Sequence, residues 1–162
     1  MGMIDTKLAA MGLVLPEAMA PVANYVPYVL SGKLLFISGQ IPMMAGKPLA
    51  VGQLGGGLST EQGTACARQC GINLIAQMKA ACDGDLDKVQ RIVKLVCFVN
   101  AASHFVDVPK VANGVSDLMV EVFGEKGRHA RSSVGCSALP LDVPVAVSAF
   151  VELASCGFIQ QF

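Results

Sequence analysis

Tryptophan is absent from this 162-residue chain, tyrosine and histidine occur twice each, and charged residues supply only 15% of it. Twelve Lys+Arg balance twelve Asp+Glu, and no run of five basic residues occurs. With neither a positive field to draw phosphates nor many rings to stack bases, nucleic-acid binding is not expected. His104 and His129 are the two histidines, and no HxxH, HxxxH or CxxC spacing is present, so the chain lacks the ligand set of a protein-built metal site. No metal is expected. No G-x-S-x-G turn marks a serine nucleophile, and no Gly-Lys-Ser/Thr follows the glycines at 52, 55, 56 and 57, which read as loop freedom rather than a phosphate cradle.

Long uninterrupted apolar runs are missing too, although hydrophobic residues reach 53% and mean hydropathy is +0.56. Each apolar stretch meets a Lys, Arg, Asp or Gly well before bilayer-spanning length, so a membrane helix is not expected. A polar-poor chain without a membrane span is expected to hide its apolar excess against copies of itself. The N-terminal segment carries Asp5 and Lys7 where a secretory leader needs its apolar core, so secretion is not indicated. The six cysteines, Cys66, Cys70, Cys82, Cys97, Cys136 and Cys156, fall mostly in apolar periodic segments and read as buried reduced thiols of a cytoplasmic protein.

The residues that are present suggest elements in the order ββ, α, β, α, ββ, after a short helix at 4–12. Tyr25 to Leu30 and Leu34 to Ser38 read as a hairpin around Ser31-Gly32-Lys33. From Gly39 to Leu58 the chain is glycine-rich, and no regular core element is expected there. Ser59-Thr60-Glu61-Gln62 is a capping box, followed by the stripe Ala67, Cys70, Leu74, Met78 and Ala81 of a helix that Asp83-Gly84-Asp85 ends. Val89 to Val99 reads as a strand. Val108, Val111, Val115, Leu118 and Val122 recur at helical spacing, with Pro109 in the first turn and Gly124 as the stop. Final strands are expected near 131–138 and 144–153. Two helices on one face of a mixed sheet make an α+β domain, and the other face needs a cover that self-association would supply.

Arg131 opens a small, apolar strand, Ser132-Ser133-Val134-Gly135-Cys136, where a guanidinium must find a partner or face a wet cleft. A salt bridge to Glu121 or Asp117 and a fork held open for a ligand carboxylate are both compatible with the sequence. His129, beside Arg128 and Arg131, reads as a solvent-exposed turn residue, and His104 as a helix-entry residue.

His129-Ala130-Arg131-Ser132-Ser133-Val134 with Ala138-Leu139-Pro140 resembles the C-terminal signature of the RidA/YjgF family. Ala23-Asn24-Tyr25-Val26 and Ser38-Gly39-Gln40-Ile41-Pro42 resemble its N-terminal hairpin and loop, and Asn113 stands where the family carries an asparagine. The resemblance covers about residues 20–153. The chain then reads as one domain over 1–162, with an N-terminal extension at 1–20 and a tail at 155–162. The resemblance implies a chorismate-mutase-like α+β fold assembled as a homotrimeric barrel with clefts between subunits. It also implies cofactor-free hydrolysis of 2-imino acids or enamines to 2-keto acids and ammonia. Arg131 would grip the substrate carboxylate, with Tyr25 at the cleft as a second catalytic residue. Ser38, Gly39, Asn113 and Ser133 would bind substrate. One position departs from the pattern: where deaminating members carry a water-positioning glutamate, this chain has Ala146, with Ser148 two residues on. That substitution makes a trimeric binder of small carboxylates the alternative, and the endoribonuclease or translation-inhibitor label carried by relatives a second one.

Overall fold

A computed structural model describes residues 1–154; the tail 155–162, with Cys156, lies outside the described residues. The elements are α1 (Met3–Ala10), β1 (Tyr28–Ser31), β2 (Leu34–Gln40), β3 (Met43–Met44), β4 (Lys47–Pro48), α2 (Thr60–Ala81), β5 (Val89–Asn100), α3 (Val108–Phe123), β6 (Ala130–Cys136) and β7 (Val145–Leu153). Five strands form one sheet in the order β1-β2-β7-β5-β6, antiparallel except for the parallel β5–β6 pair. β3 and β4 make a separate small hairpin. This is the α+β arrangement expected from the pattern. α2 packs on β7 and β2, and α3 on β5 and β6.

Strand alternation sorts the side chains. Along β7, Val145, Val147, Ala149, Val151 and Leu153 are all buried on the helix-bearing face, while Ala146, Ser148, Phe150 and Glu152 point the other way and are only partly covered. Leu35 and Ile37 of β2 and Leu95, Cys97 and Val99 of β5 complete that core. On α3 the valines carry the packing: Val111 and Val115 are completely buried and Val122 nearly so. Each buried valine contributes about 1.5–3 kcal/mol, against a propensity penalty below about 1 kcal/mol, so packing outweighs the residue type's weak helical preference. At the start of α2 the capping box forms, with Gln62 N–H donating to Ser59 Oγ and Ser59 N–H to Gln62 Oε1.

Three features differ from the sequence expectation. The first strand begins at Tyr28 rather than Tyr25, because Pro27 has no N–H for a ladder and Tyr25 N–H is turned back onto the Ala23 carbonyl at 2.9 Å. β6 stops at Cys136, short of 138, and a left-handed turn at Leu141 and Asp142 (φ 56° and 55°) leads into β7. The Gly39–Leu58 stretch also holds more than expected. Besides the β3–β4 hairpin it contains Leu54, fully buried, whose N–H donates to the Asn100 carbonyl (2.9 Å) and whose own carbonyl accepts from Ala102 N–H (3.0 Å). A row of buried amides four residues apart on α2 holds this chain path. Gln69 Nε2 donates to the Met43 carbonyl (3.3 Å), Asn73 Nδ2 to the Ile41 and Met43 carbonyls (2.9 and 3.1 Å), and Gln77 Nε2 to that of Met19 (2.8 Å).

The sheet face away from the helices is apolar, and no described element covers it. Val29, Leu34, Phe36, Phe98 and Val134 are each at least 38% exposed there, and Phe36 meets Phe150 edge-to-face at 5.2 Å. Among the described residues no helix is long and apolar enough to cross a membrane.

Candidate functional site

Arg131 lies on β6, the edge strand, opposite Leu95 of β5. Register partners share a face and Leu95 is fully buried under the helices, so Arg131 lies on the helix-bearing side. There it meets α3. Its Nη1 donates to Asn113 Oδ1 at 2.9 Å and to Ser116 Oγ at 3.1 Å, and its Nη2 to the Pro109 carbonyl at 3.4 Å. Every acceptor is neutral. Glu121, one of the two acids the sequence offered as a salt-bridge partner, pairs instead with Arg68 at 3.1 Å, and Arg131 has no ion pair among the described residues. Among the described residues three of the five guanidinium N–H groups are used, leaving Nε–H and one Nη2–H to donate to a ligand.

Two residues farther along the same face of β6 is Ser133, whose Oγ is buried with no hydrogen-bond partner among the described residues. An unsatisfied buried hydroxyl costs on the order of 1–3 kcal/mol, and a bound polar molecule is one way to recover it. The other expected site residues sit elsewhere. Ser38 is on β2, its hydroxyl donating to the Val26 carbonyl (2.9 Å) and its N–H to that of Pro27 (2.9 Å), which ties the Tyr25–Pro27 segment to the strand. Tyr25 is 55% exposed, and Gly39 is exposed beside a register shift in β2. β7 and β5 intervene between β2 and β6, which separates the two groups by three strand spacings, about 14 Å. Arg131 and Asn113 are therefore together in one chain, while Tyr25, Ser38 and Gly39 are not with them.

His129 is not the exposed turn residue its neighbours suggested. It is half-buried, with Nε2 2.8 Å from Ser116 Oγ and Nδ1 2.6 Å from the Gly127 carbonyl. Ser116 escaped the sequence reading altogether. The available signal was its position three residues after Asn113, which puts both side chains on one helix face. Ala146 is on the opposite, uncovered sheet face, beside Phe98.

Four of the described thiols are held toward the protonated form. Burial pushes Cys97 up to about 11, outweighing the opposing positive charge of Arg131, and burial also raises Cys66, Cys70 and Cys136. Cys66 and Cys70 belong to the core of α2. Among the described residues no cluster of three or more His, Cys, Asp or Glu side chains is placed to hold a metal ion.

Residues 5–153 match the profile of a family described as YjgF/chorismate-mutase-like endoribonuclease. Protein TCP17 of Trypanosoma cruzi is 48% identical over 153 residues, covering 94% of this chain and 95% of that protein. Among solved structures, Atu1372 of Agrobacterium tumefaciens, described as of unknown function, is 43% identical with a TM-score of 0.87, covering 93% of this chain and 92% of its own. A Shewanella oneidensis protein bearing an endoribonuclease label is 40% identical with a TM-score of 0.89, covering 93% and 99%. The matched region spans every strand of the sheet and both long helices, and the fold is that of these relatives. By sequence and by fold together, the chain belongs to the YjgF/chorismate-mutase-like family.

Proposed function

We propose that this chain acts as a cytoplasmic homotrimer that binds 2-imino acids, or their enamine tautomers, in a cleft between two copies and hydrolyses them to 2-keto acids and ammonia. The observation that carries this reading is the Arg131 guanidinium, held by three neutral acceptors with two N–H donors remaining and no ion pair among the described residues. A planar fork with spare donors matches a carboxylate. The separation of Tyr25, Ser38 and Gly39 from Arg131 within one chain favours a site completed by a neighbour, and the uncovered apolar face supplies surface for that association.

In the reaction the oxygen of water bonds to C2 of the imine. The C–N bond then breaks as the nitrogen takes both protons of that water and leaves as ammonia. An imine carbon is already electrophilic, so holding the carboxylate on Arg131 and placing the water against backbone groups near Ser38, Gly39 and Ser133 supplies much of the catalysis. Asn113 serves by holding Arg131. A second reading, a carboxylate-binding trimer without turnover, is favoured by Ala146, since a missing general base or water acceptor costs about 10²–10⁴-fold in proton-transfer steps. The endoribonuclease label of the relatives finds little support in the balanced charge of this chain.

The test couples the protein to an amino-acid oxidase that releases 2-imino acids, and runs a thermal-shift titration with 2-oxobutanoate in parallel. Accelerated keto-acid release lost in Arg131→Ala supports the deaminase. Stabilisation by 2-oxobutanoate without turnover, weakened about 100-fold or more in Arg131→Ala, supports the binder. Arg131→Ala matching the parent in both assays rejects both readings. RNA cleavage that survives nuclease controls and vanishes in Arg131→Ala would replace them.

A further inference from the structure

Arg131 is part of a longer hydrogen-bonded chain whose direction follows from one fixed group. Gly127 is buried, and a Cβ on it would overlap the Met119 carbonyl at the end of α3, so only glycine lets the turn after α3 close and fix the Gly127 carbonyl. A carbonyl can only accept. The 2.6 Å contact from His129 Nδ1 to that oxygen therefore requires the hydrogen on Nδ1, and in the Nδ1–H tautomer Nε2 carries a lone pair. In that tautomer Nε2 is an acceptor, and Ser116 Oγ, 2.8 Å away, is placed to donate its only hydrogen to it. With that hydrogen committed, the Ser116 lone pairs face Arg131, whose Nη1 donates to them at 3.1 Å. Without an acceptor at 129 the hydroxyl could turn its hydrogen toward the guanidinium, where donor would meet donor.

We propose that Ser116 and His129 are positioning residues for Arg131: the relay from the Gly127 carbonyl through His129 and Ser116 locks the guanidinium so that its remaining donors face the ligand. The proposal rests on the reading of Arg131 as the carboxylate-binding group, and it adds two residues that never touch the ligand. Asn113 and the Pro109 carbonyl hold the same guanidinium from α3, so loss of the relay loosens the fork without releasing it. Ordering one long side chain at the moment of binding weakens affinity by about 3- to 10-fold.

The experiment compares the full chain with Ser116→Ala, His129→Ala, His129→Gln and Arg131→Ala, using 2-oxobutanoate as probe and the Arg131 Nε–H resonance of the ligand-free protein as a direct report on side-chain order. Ser116→Ala and His129→Ala should weaken 2-oxobutanoate binding by that factor and collapse the resonance. His129→Gln should recover both, because its Oε1 accepts the Ser116 hydroxyl in place of Nε2, a rescue that general loosening of the fold would not give. An unchanged Arg131 resonance in Ser116→Ala and His129→Ala, or His129→Gln no better than His129→Ala, overturns the relay. If Arg131→Ala binds 2-oxobutanoate like the parent, the carboxylate reading fails by itself, while the resonance still decides whether the relay orders Arg131.

Discussion

The crossing of α2 and α3 depends on a glycine that can be tested directly. Gly114 follows Asn113 on α3, and a Cβ there would overlap the Thr64 carbonyl oxygen and stand 3.0 Å from its carbon and 3.1 Å from the Arg68 nitrogen. All three atoms are backbone of α2, so no side chain can swing aside and the helices themselves must part. Overpacking of this kind costs up to about 3 kcal/mol. Alanine returns about 1 kcal/mol of helix propensity, leaving a net loss near 2 kcal/mol. For a domain of this size that lowers the melting temperature by about 4–8 °C, measured by calorimetry or circular dichroism on Gly114→Ala. Gly135→Ala on β6 is the control, since its Cβ would meet only ordinary contacts at 3.7 Å and beyond. Because Asn113 and Ser116 flank Gly114, the same variant should weaken 2-oxobutanoate binding. A melting temperature equal to or above the parent's would refute the close-crossing argument.

Two further predictions rest on titrating groups. Cys97 stays protonated in the folded chain to about pH 11 against an ordinary 9.0, so its contribution is full below pH 9 and is lost as pH rises toward 11. The difference amounts to about 3 kcal/mol, and Cys97→Ala should flatten the fall in denaturant stability over that window; an unchanged slope would contradict the burial of the thiol. Asp87 accepts the Met3 and Ile4 N–H groups at 2.8 and 2.9 Å, and these bonds lower its carboxyl below the usual range. A lowered carboxyl stabilises above its ordinary value and loses that effect as pH falls through the folded one, so acid or Asp87→Ala should release α1 and speed limited proteolysis between residues 10 and 20. A digestion rate equal to the parent's would show that α1 is held by packing alone.

Much of the fold was legible in the sequence because each signal was local. The Ser59 capping box, the valine stripe of α3 and the alternation of β7 concern residues within a turn or two of one another, where spacing decides which face is apolar. Arg131 stood out for the same reason, a charge at the start of an apolar strand. Its state was not legible, because salt bridge and open fork differ only in where α3 comes to rest. The sequence also hid Leu54 and the amides Gln69, Asn73 and Gln77, since polar residues on a helix are ordinarily solvated, and these are buried only because the chain at 41–43 and at 19 crosses them.

Periodicity, caps and turn residues thus determined the elements, their order and the face each would bury, since those follow from backbone geometry within a few residues. Tertiary structure alone decided that β7 inserts between β2 and β5, that Tyr25 and Ser38 stand apart from Arg131, and that Ser116 and His129 meet beside it. Those outcomes depend on how separate layers pack in three dimensions, and no spacing along one chain records which distant carbonyl or hydroxyl will lie within hydrogen-bonding distance of a guanidinium.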